Sequence, residues 1–140
     1  MIILDTNVIS ALMLEQPDPV AASWLDKQAP TSIWTTSITV FEVRFGLDCM
    51  PAGRRRSQRE TEFENLLRDD LEDRILNFDQ RAAEVAAALM ARRRRAGRVI
   101  DLRDAMIAGI ALSQNAALAT RNVRHFDDES LKVLNPWATT

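Results

Sequence analysis

Histidine and cysteine are almost missing from this chain: His125 and Cys49 are the single examples of each. One thiol makes no internal disulfide, which fits a reducing cytoplasm. With one residue of each kind, a Cys/His zinc site of ordinary ligand count is excluded. A Ser-His-Asp triad would depend on His125, and no G-x-S-x-G elbow presents a serine to it. Neither G-x-x-x-x-G-K-[ST] nor G-x-G-x-x-G occurs, so those nucleotide cradles are excluded as well. Nothing approaches the ~20 uninterrupted apolar residues of a membrane span. The apolar N-terminal run is four residues long without a basic flank, unlike a signal peptide. Lysine is scarce too, since only Lys27 and Lys132 interrupt the arginines among the 18 basic residues. The planar guanidinium donates paired hydrogen bonds to phosphate, yet a GC-rich genome produces the same bias. A net charge of −2 does not by itself show nucleic-acid binding. For an enzyme, the chemistry left is carboxylates with a hard metal.

At 140 residues the chain is expected to form a single domain, 1–140, large enough to bury a core without staples. No linker, repeat or low-complexity stretch divides it. Met1-Ile2-Ile3-Leu4 reads as a buried strand, and Asn7–Leu14 as a short helix capped by Thr6 or Asn7. A second helix is expected over Pro19–Lys27, with proline in its first turn, then a strand over Ser32–Thr36 and a helix over Ile38–Asp48. Arg54–Leu71 is highly charged but carries Phe63, Leu66, Leu67 and Leu71 at helical spacing. Arg74–Phe78 reads as a strand, and Asp79 caps a long helix that stops near Gly97. Asp101 caps another helix, 102–115, whose apolar centre predicts burial on most sides. Short strands follow at Ala116–Thr120 and Lys132–Leu134. Strands alternating with helices predict an α/β fold, a three-layer α/β/α sandwich on a small, mostly parallel sheet of four or five strands.

Three acids occupy positions where their surroundings make them costly. Asp5 ends the first strand, and in parallel sheets ligands bind beyond the carboxyl ends of strands. Glu42 lies one turn into a helix that follows a strand, and Asp104 lies in the first turn of the apolar helix. Each has an ordinary reading: Asp5 as a helix cap, Glu42 paired with Arg44 or Arg103, Asp104 as a first-turn acid favoured by the helix dipole. Gathered together, they would repel one another and raise their own pKa values unless a divalent cation compensated. All-oxygen ligands select Mg²⁺ or Mn²⁺. His125 reads as a loop histidine at the edge of such a site rather than as its base. Arg92-Arg93-Arg94-Arg95 reads as a solvated helix face more readily than as a phosphate track. Cys49 and the three tryptophans read as packing residues.

Several segments carry a resemblance: Leu4-Asp5-Thr6-Asn7-Val8, Ile38-Thr39-Val40-Phe41-Glu42-Val43-Arg44-Phe45-Gly46, Asp104-Ala105-Met106-Ile107-Ala108, Ala119-Thr120-Arg121-Asn122-Val123-Arg124-His125-Phe126, and Leu134-Asn135-Pro136-Trp137. In that order they span nearly the whole chain. It resembles the PIN-domain endoribonucleases, in particular the VapC-type toxins of bacterial toxin–antitoxin modules and their FitB-like subgroup. The resemblance implies a Mg²⁺- or Mn²⁺-dependent ribonuclease, with Asp5, Glu42 and Asp104 as catalytic acids. Asp5 and Asp104 would hold the metal, with Glu42 as a ligand, directly or through water, or as the base that orients water. The family's fourth acidic position falls on Asn122, a neutral oxygen suited to water-mediated ligation or to support of another ligand. Asp127, the nearest alternative acid, reads as a solvated loop residue. Thr6 and Thr120 match hydroxyl positions beside the acids, and Arg103, Arg121 and Arg124 flank the motifs as candidates for RNA phosphate. The resemblance further implies a small cognate antitoxin that covers the site, contact with DNA only through that antitoxin, and a homodimer. Phe41, Phe45, Phe63 and Leu67 look like more apolar surface than small helices hide. The departure at Asn122 leaves a second reading open, a weakly catalytic PIN-fold component of an antitoxin–DNA regulatory complex.

Overall fold

The structure, a computed structural model, describes residues 1–127 and 130–138. Its strands are β1 (Ile2–Leu4), β2 (Ile33–Thr36), β3 (Ile75–Leu76), β4 (Ala117–Ala119) and β5 (Val133–Leu134). Its helices are α1 (Thr6–Leu12), α2 (Pro19–Asp26), α3 (Ser37–Cys49), α4 (Arg54–Asn65), α5 (Gln80–Arg95) and α6 (Leu102–Ser113). The strands form one sheet in the order β3-β2-β1-β4-β5, every pairing parallel. Among the described residues no helix is long and apolar enough to cross a membrane.

Alternation along β1 builds the layers. Ile3 and Leu4 are both fully buried but point to opposite faces. Ile3 joins Ala82, Leu89, Ile107, Ile110 and Leu118 in a core under α5 and α6. Leu4 joins Val8, Ile9, Val43, Leu47 and Phe63 in a core under α1, α3 and α4. The chain runs outward from β1 to β3, then returns to build β4 and β5 on the other side of β1. The gap between the carboxyl ends of β1 and β4 is thus the point where strand order reverses, the place in such sheets where ligands bind.

Helix starts follow from local chemistry. Asp18 caps α2, Thr36 caps α3, Asp79 caps α5 and Asp101 caps α6, each accepting from backbone N–H groups of the first turn. At α1 the cap is Asp5 itself, with Thr6 and Asn7 inside the helix rather than before it. The strand delivers Asp5 in an extended conformation, so its carboxylate reaches the orphan N–H first. The helix expected to run through Leu71 instead gives way to a π turn at Leu66–Asp70, closed by Leu71 N–H to Leu66 O at 3.0 Å. Five residues separate Leu66 and Leu71, and the wider turn lets both side chains reach the core. The strand expected over 74–78 is reduced to two residues because the Phe78 N–H goes to Ser37 Oγ (3.1 Å) instead of a neighbouring strand. Cys49 is exposed, at the end of α3 where the helix leaves the core, so it is not a packing residue. Phe63 is buried, so of the apolar residues expected at the surface only Phe41 and Phe45 are strongly exposed, at 59% each.

Candidate active site

Asp5 stands at the switch point, 4% exposed. Its Oδ1 accepts from the Thr6 N–H (2.8 Å) and its Oδ2 from Thr120 Oγ1 (2.7 Å) and Asn7 Nδ2 (3.1 Å). Thr120 follows β4 directly, so the parallel pairing of Leu4 with Ala119 brings the two residues together. Asn7 also donates to Thr120 Oγ1 (3.1 Å), while its own Oδ1 accepts from the Arg121 N–H (3.0 Å). Burial pushes the Asp5 carboxyl above the usual aspartate range; the hydrogen bonds from Thr120 and Thr6 oppose that, and the charge of Asp104 adds to it.

Glu42 reaches this centre from the second turn of α3. Its Oε1 accepts from Thr6 Oγ1 (2.9 Å), and Arg103 Nη1 lies 3.7 Å from its Oε2. Thr6 Oγ1 also meets Thr39 Oγ1 at 3.0 Å, a buried hydroxyl at the start of α3. Thr6 therefore touches both acids, Asp5 through its backbone and Glu42 through its side chain. The expected alternative partner, Arg44, is committed to Asp48 and Glu60.

Asp104, half-buried in the first turn of α6, contacts His125 through Oδ2 and Nδ1 at 3.0 Å. Burial raises its carboxyl pKa; His125 pulls the other way, and the charges of Asp101 and Glu42 raise it further. Asp5, Glu42 and Asp104 thus share one electrostatic neighbourhood. Each nevertheless has its own protein donors, and among the described residues no three of Asp, Glu, His and Cys converge as a ready-made ligand cluster. The donor set itself fits a hard divalent cation: carboxylate and hydroxyl oxygens, with one buried and one half-buried acid whose pKa values are raised first of all by burial.

Outside these acids, the structure distributes the candidates unevenly. Asn122 is exposed; its N–H donates to Thr120 Oγ1 at 3.0 Å. The Arg121 guanidinium lies 4.1 Å over the Trp137 ring. Arg103 bridges Glu42 and Asp101, and Arg124 is exposed beside Asp104 and His125 around a cavity of about 200 Å³. Asp127 is 78% exposed and pairs with Arg98 at 3.3 Å. The sequence offered Asn7 only as a helix cap and gave Thr39 no role. Asn7 had a usable signal, an amide two residues past a strand that ends in an acid. Thr39 had none, because its place beside Thr6 is a contact across 33 positions of chain. The roomiest space near α2, about 450 Å³ between Leu12, Leu25, Leu66 and Asp70, lies away from Asp104.

The chain matches known proteins over nearly its whole length. The PIN domain family matches residues 2–128. The chain is 40% identical over 137 residues to the VapC ribonuclease Y4jK of Sinorhizobium fredii, covering 98% of each. It is 31% identical to Toxin FitB of Neisseria gonorrhoeae, covering 98% of this chain and 99% of that one. Among solved structures, FitAB bound to an IR36 DNA fragment contains a chain that superposes with a TM-score of 0.90 at 31% identity, covering 100% of this chain and 98% of that one.

Proposed function

This chain belongs to the PIN-domain family, and from that premise we propose that it is the ribonuclease toxin of a toxin–antitoxin pair, hydrolysing RNA phosphodiesters with the help of Mg²⁺ or Mn²⁺. The observation that supports the reading is that Asp104 acts electrostatically on Asp5 and Glu42 on Asp104 near the switch point of the sheet, with burial the main cause of the raised pKa of Asp5 and Asp104. Likeness to a VapC ribonuclease supports RNA as the substrate.

Asp5 and Asp104 would hold the cation, with Glu42 joining directly or through water and Asn122 as a neutral oxygen for water-mediated ligation or support of another ligand. When bound, the cation lowers the pKa of the attacking water and stabilises charge on the phosphate and the leaving oxygen. The chain's own residues do the rest. Thr120, Asn7 and the Thr6 N–H fix the Asp5 carboxylate, so little reorganisation is needed when it works. Thr6 Oγ1 holds Glu42, which orients water and takes its proton as the oxygen–phosphorus bond forms. Arg103, whose Nη1 lies 3.7 Å from Glu42 Oε2, is the counter-charge beside that acid and offers phosphate a donor.

The test is to incubate the purified, antitoxin-free protein with total bacterial RNA in Mg²⁺, in Mn²⁺ and in EDTA, beside Asp104→Asn. Discrete fragments are expected with either metal, and none in EDTA or with the variant. Intact RNA under all conditions would move the weight to the second reading, a weakly catalytic partner in an antitoxin–DNA complex, which Asn122 in the fourth acidic position favours.

The partner follows from the same likeness. FitB is a toxin and FitAB is bound to DNA in its solved structure, which supports a small antitoxin for this chain and contact with DNA through it. The chain also acts as a single domain and pairs with itself. Phe41 and Phe45, one turn apart on α3, stack with ring centroids 6.2 Å apart while each stays 59% exposed. Such a pair left in water is the kind of patch that marks an interface. Phe41→Ser combined with Phe45→Ser is expected to sediment as a monomer at concentrations where the unaltered protein is a dimer. An unaltered protein that is monomeric at micromolar concentration would remove the homodimer.

A further inference from the structure

We propose that the cavity between the carboxyl end of α5 and the start of α6 is a phosphate subsite for the RNA strand, where the buried guanidinium of Arg93 takes a phosphate oxygen next to the linkage being cut. This rests on the ribonuclease reading and adds a substrate contact to it.

The helical period selects Arg93 from a run of four arginines. Ala82, Ala86, Leu89 and Arg93 are the residues that α5 buries, and their spacing of four, three and four places them on one face. Arg92, Arg94 and Arg95 stay exposed, whereas Arg93 is 7% exposed. An arginine so deep costs desolvation that only paired acceptors offset. One arm of the fork has its acceptor: Nη1 donates to the His125 carbonyl at 3.2 Å. The other, Nη2, is buried with no hydrogen-bond partner among the described residues.

Arg93 lines a cavity of about 200 Å³ together with Asp101, Asp104, Arg124 and His125. Water occupies about 30 Å³ per molecule, so a phosphate group fits. Each of the two carboxylates around it has one oxygen engaged. Asp101 Oδ1 caps α6 through the N–H groups of Arg103 (2.9 Å) and Asp104 (3.4 Å), and Asp104 Oδ2 meets His125. A guanidinium donates and never accepts, so what completes Arg93 is an acceptor, and its planar geometry matches two oxygens of a phosphate. Arg124 on the rim supplies a second cation. Asp104 is a wall of the same cavity, which puts this phosphate adjacent to the proposed cutting centre.

The experiment uses the full chain with Asp5→Asn, in EDTA, binding a fluorescent single-stranded oligoribonucleotide across a salt series. Adding Arg93→Met is expected to weaken binding about 10-fold and to lower the slope of log K against log salt by about 0.7, one phosphate contact on a single strand. Arg93→Lys, which keeps the charge without the fork, should hold the slope and lose part of the affinity. In the cleaving protein, Arg93→Met should raise KM with kcat within about twofold, the mark of lost substrate binding. A folded Arg93→Met protein with unchanged affinity and slope overturns the subsite. So does one that binds RNA normally but loses its antitoxin, which would make Arg93 a partner contact. Should Arg93→Met fail to fold, the Arg93 Nε–H resonance decides the matter in the Asp5→Asn protein: a saturable shift on adding the oligoribonucleotide supports the subsite, and no shift overturns it. Cleavage that ignores Arg93 removes only the subsite, whereas an unaltered protein that neither binds nor cuts RNA removes the ribonuclease reading itself.

Discussion

Asp5→Asn is expected to lower kcat/KM for RNA by about 10³-fold, ~4 kcal/mol of transition-state stabilisation, while leaving the protein folded. The substitution keeps the volume at a position that is 4% exposed, so the surrounding packing has no cavity to absorb. What changes is charge and hydrogen bonding. The carboxylate accepts from the Thr6 N–H, Asn7 Nδ2 and Thr120 Oγ1. An amide turns a donor toward either Asn7 or Thr120 and loses about one of those bonds, a cost on the order of 1 kcal/mol. Relief from burying a charge offsets it. The sign of that relief with pH follows from the raised Asp5 pKa, whose first cause is burial. In the metal-free protein the ionised carboxylate costs stability above its raised folded pKa. That cost fades as pH falls through the folded value and is absent below the ordinary aspartate range. The variant should therefore compare best with the unaltered protein near neutral pH and lose that advantage in acid. Circular dichroism melts at several pH values, beside initial rates on a labelled RNA, check both halves. A well-folded Asp5→Asn protein that cleaves at the full rate would take Asp5 out of the chemistry.

The second large effect lies away from the acids, where α5 crosses α6. Gly109 is inside α6, where alanine would ordinarily stabilise a helix by ~1 kcal/mol. Here a Cβ would stand 2.6 Å from the Ala82 carbonyl oxygen, 2.7 Å from Ala86 Cβ and 3.0 Å from the Ala86 N. Those are backbone atoms and a short, rigid side chain, so the helices themselves must separate. Gly109→Ala is expected to destabilise the protein by about 1–3 kcal/mol, the range for overpacking a tight core, and to lower Tm by several degrees. Gly46 on α3 is the control, since a Cβ there meets nothing within 4 Å. Gly46→Ala should be neutral or slightly stabilising. Urea unfolding of the two variants tests the contrast, and equal midpoints would refute the close approach. Because α6 carries Asp104 and α5 carries Arg93, a parted helix pair should also weaken RNA binding.

These two positions divide cleanly by how they were legible. Asp5 announces itself locally: an apolar strand, an acid and a helix start are consecutive in the chain. The same holds for Asp79 and Asp101, whose side chains cap the helices that begin right after them. Gly109 looks like an ordinary helix glycine until Ala82 and Ala86 are set against it.

Local order along the chain determined the α/β alternation, the capping residues and the candidacy of Asp5, Glu42 and Asp104, because strand period, helix period and caps depend on neighbours a few residues apart. Folding alone decided that Thr6 joins Asp5 to Glu42, that Asn7 and Thr120 clasp one carboxylate oxygen, and that His125 meets Asp104. It also decided that one arginine of four turns inward, although the period through Ala82, Ala86 and Leu89 pointed there. Hydrogen bonds are short-ranged and directional, so partners 33, 36, 113 and 115 positions apart in the chain are specified only by the parallel register of β1 with β4 and the packing of α3 beside α1.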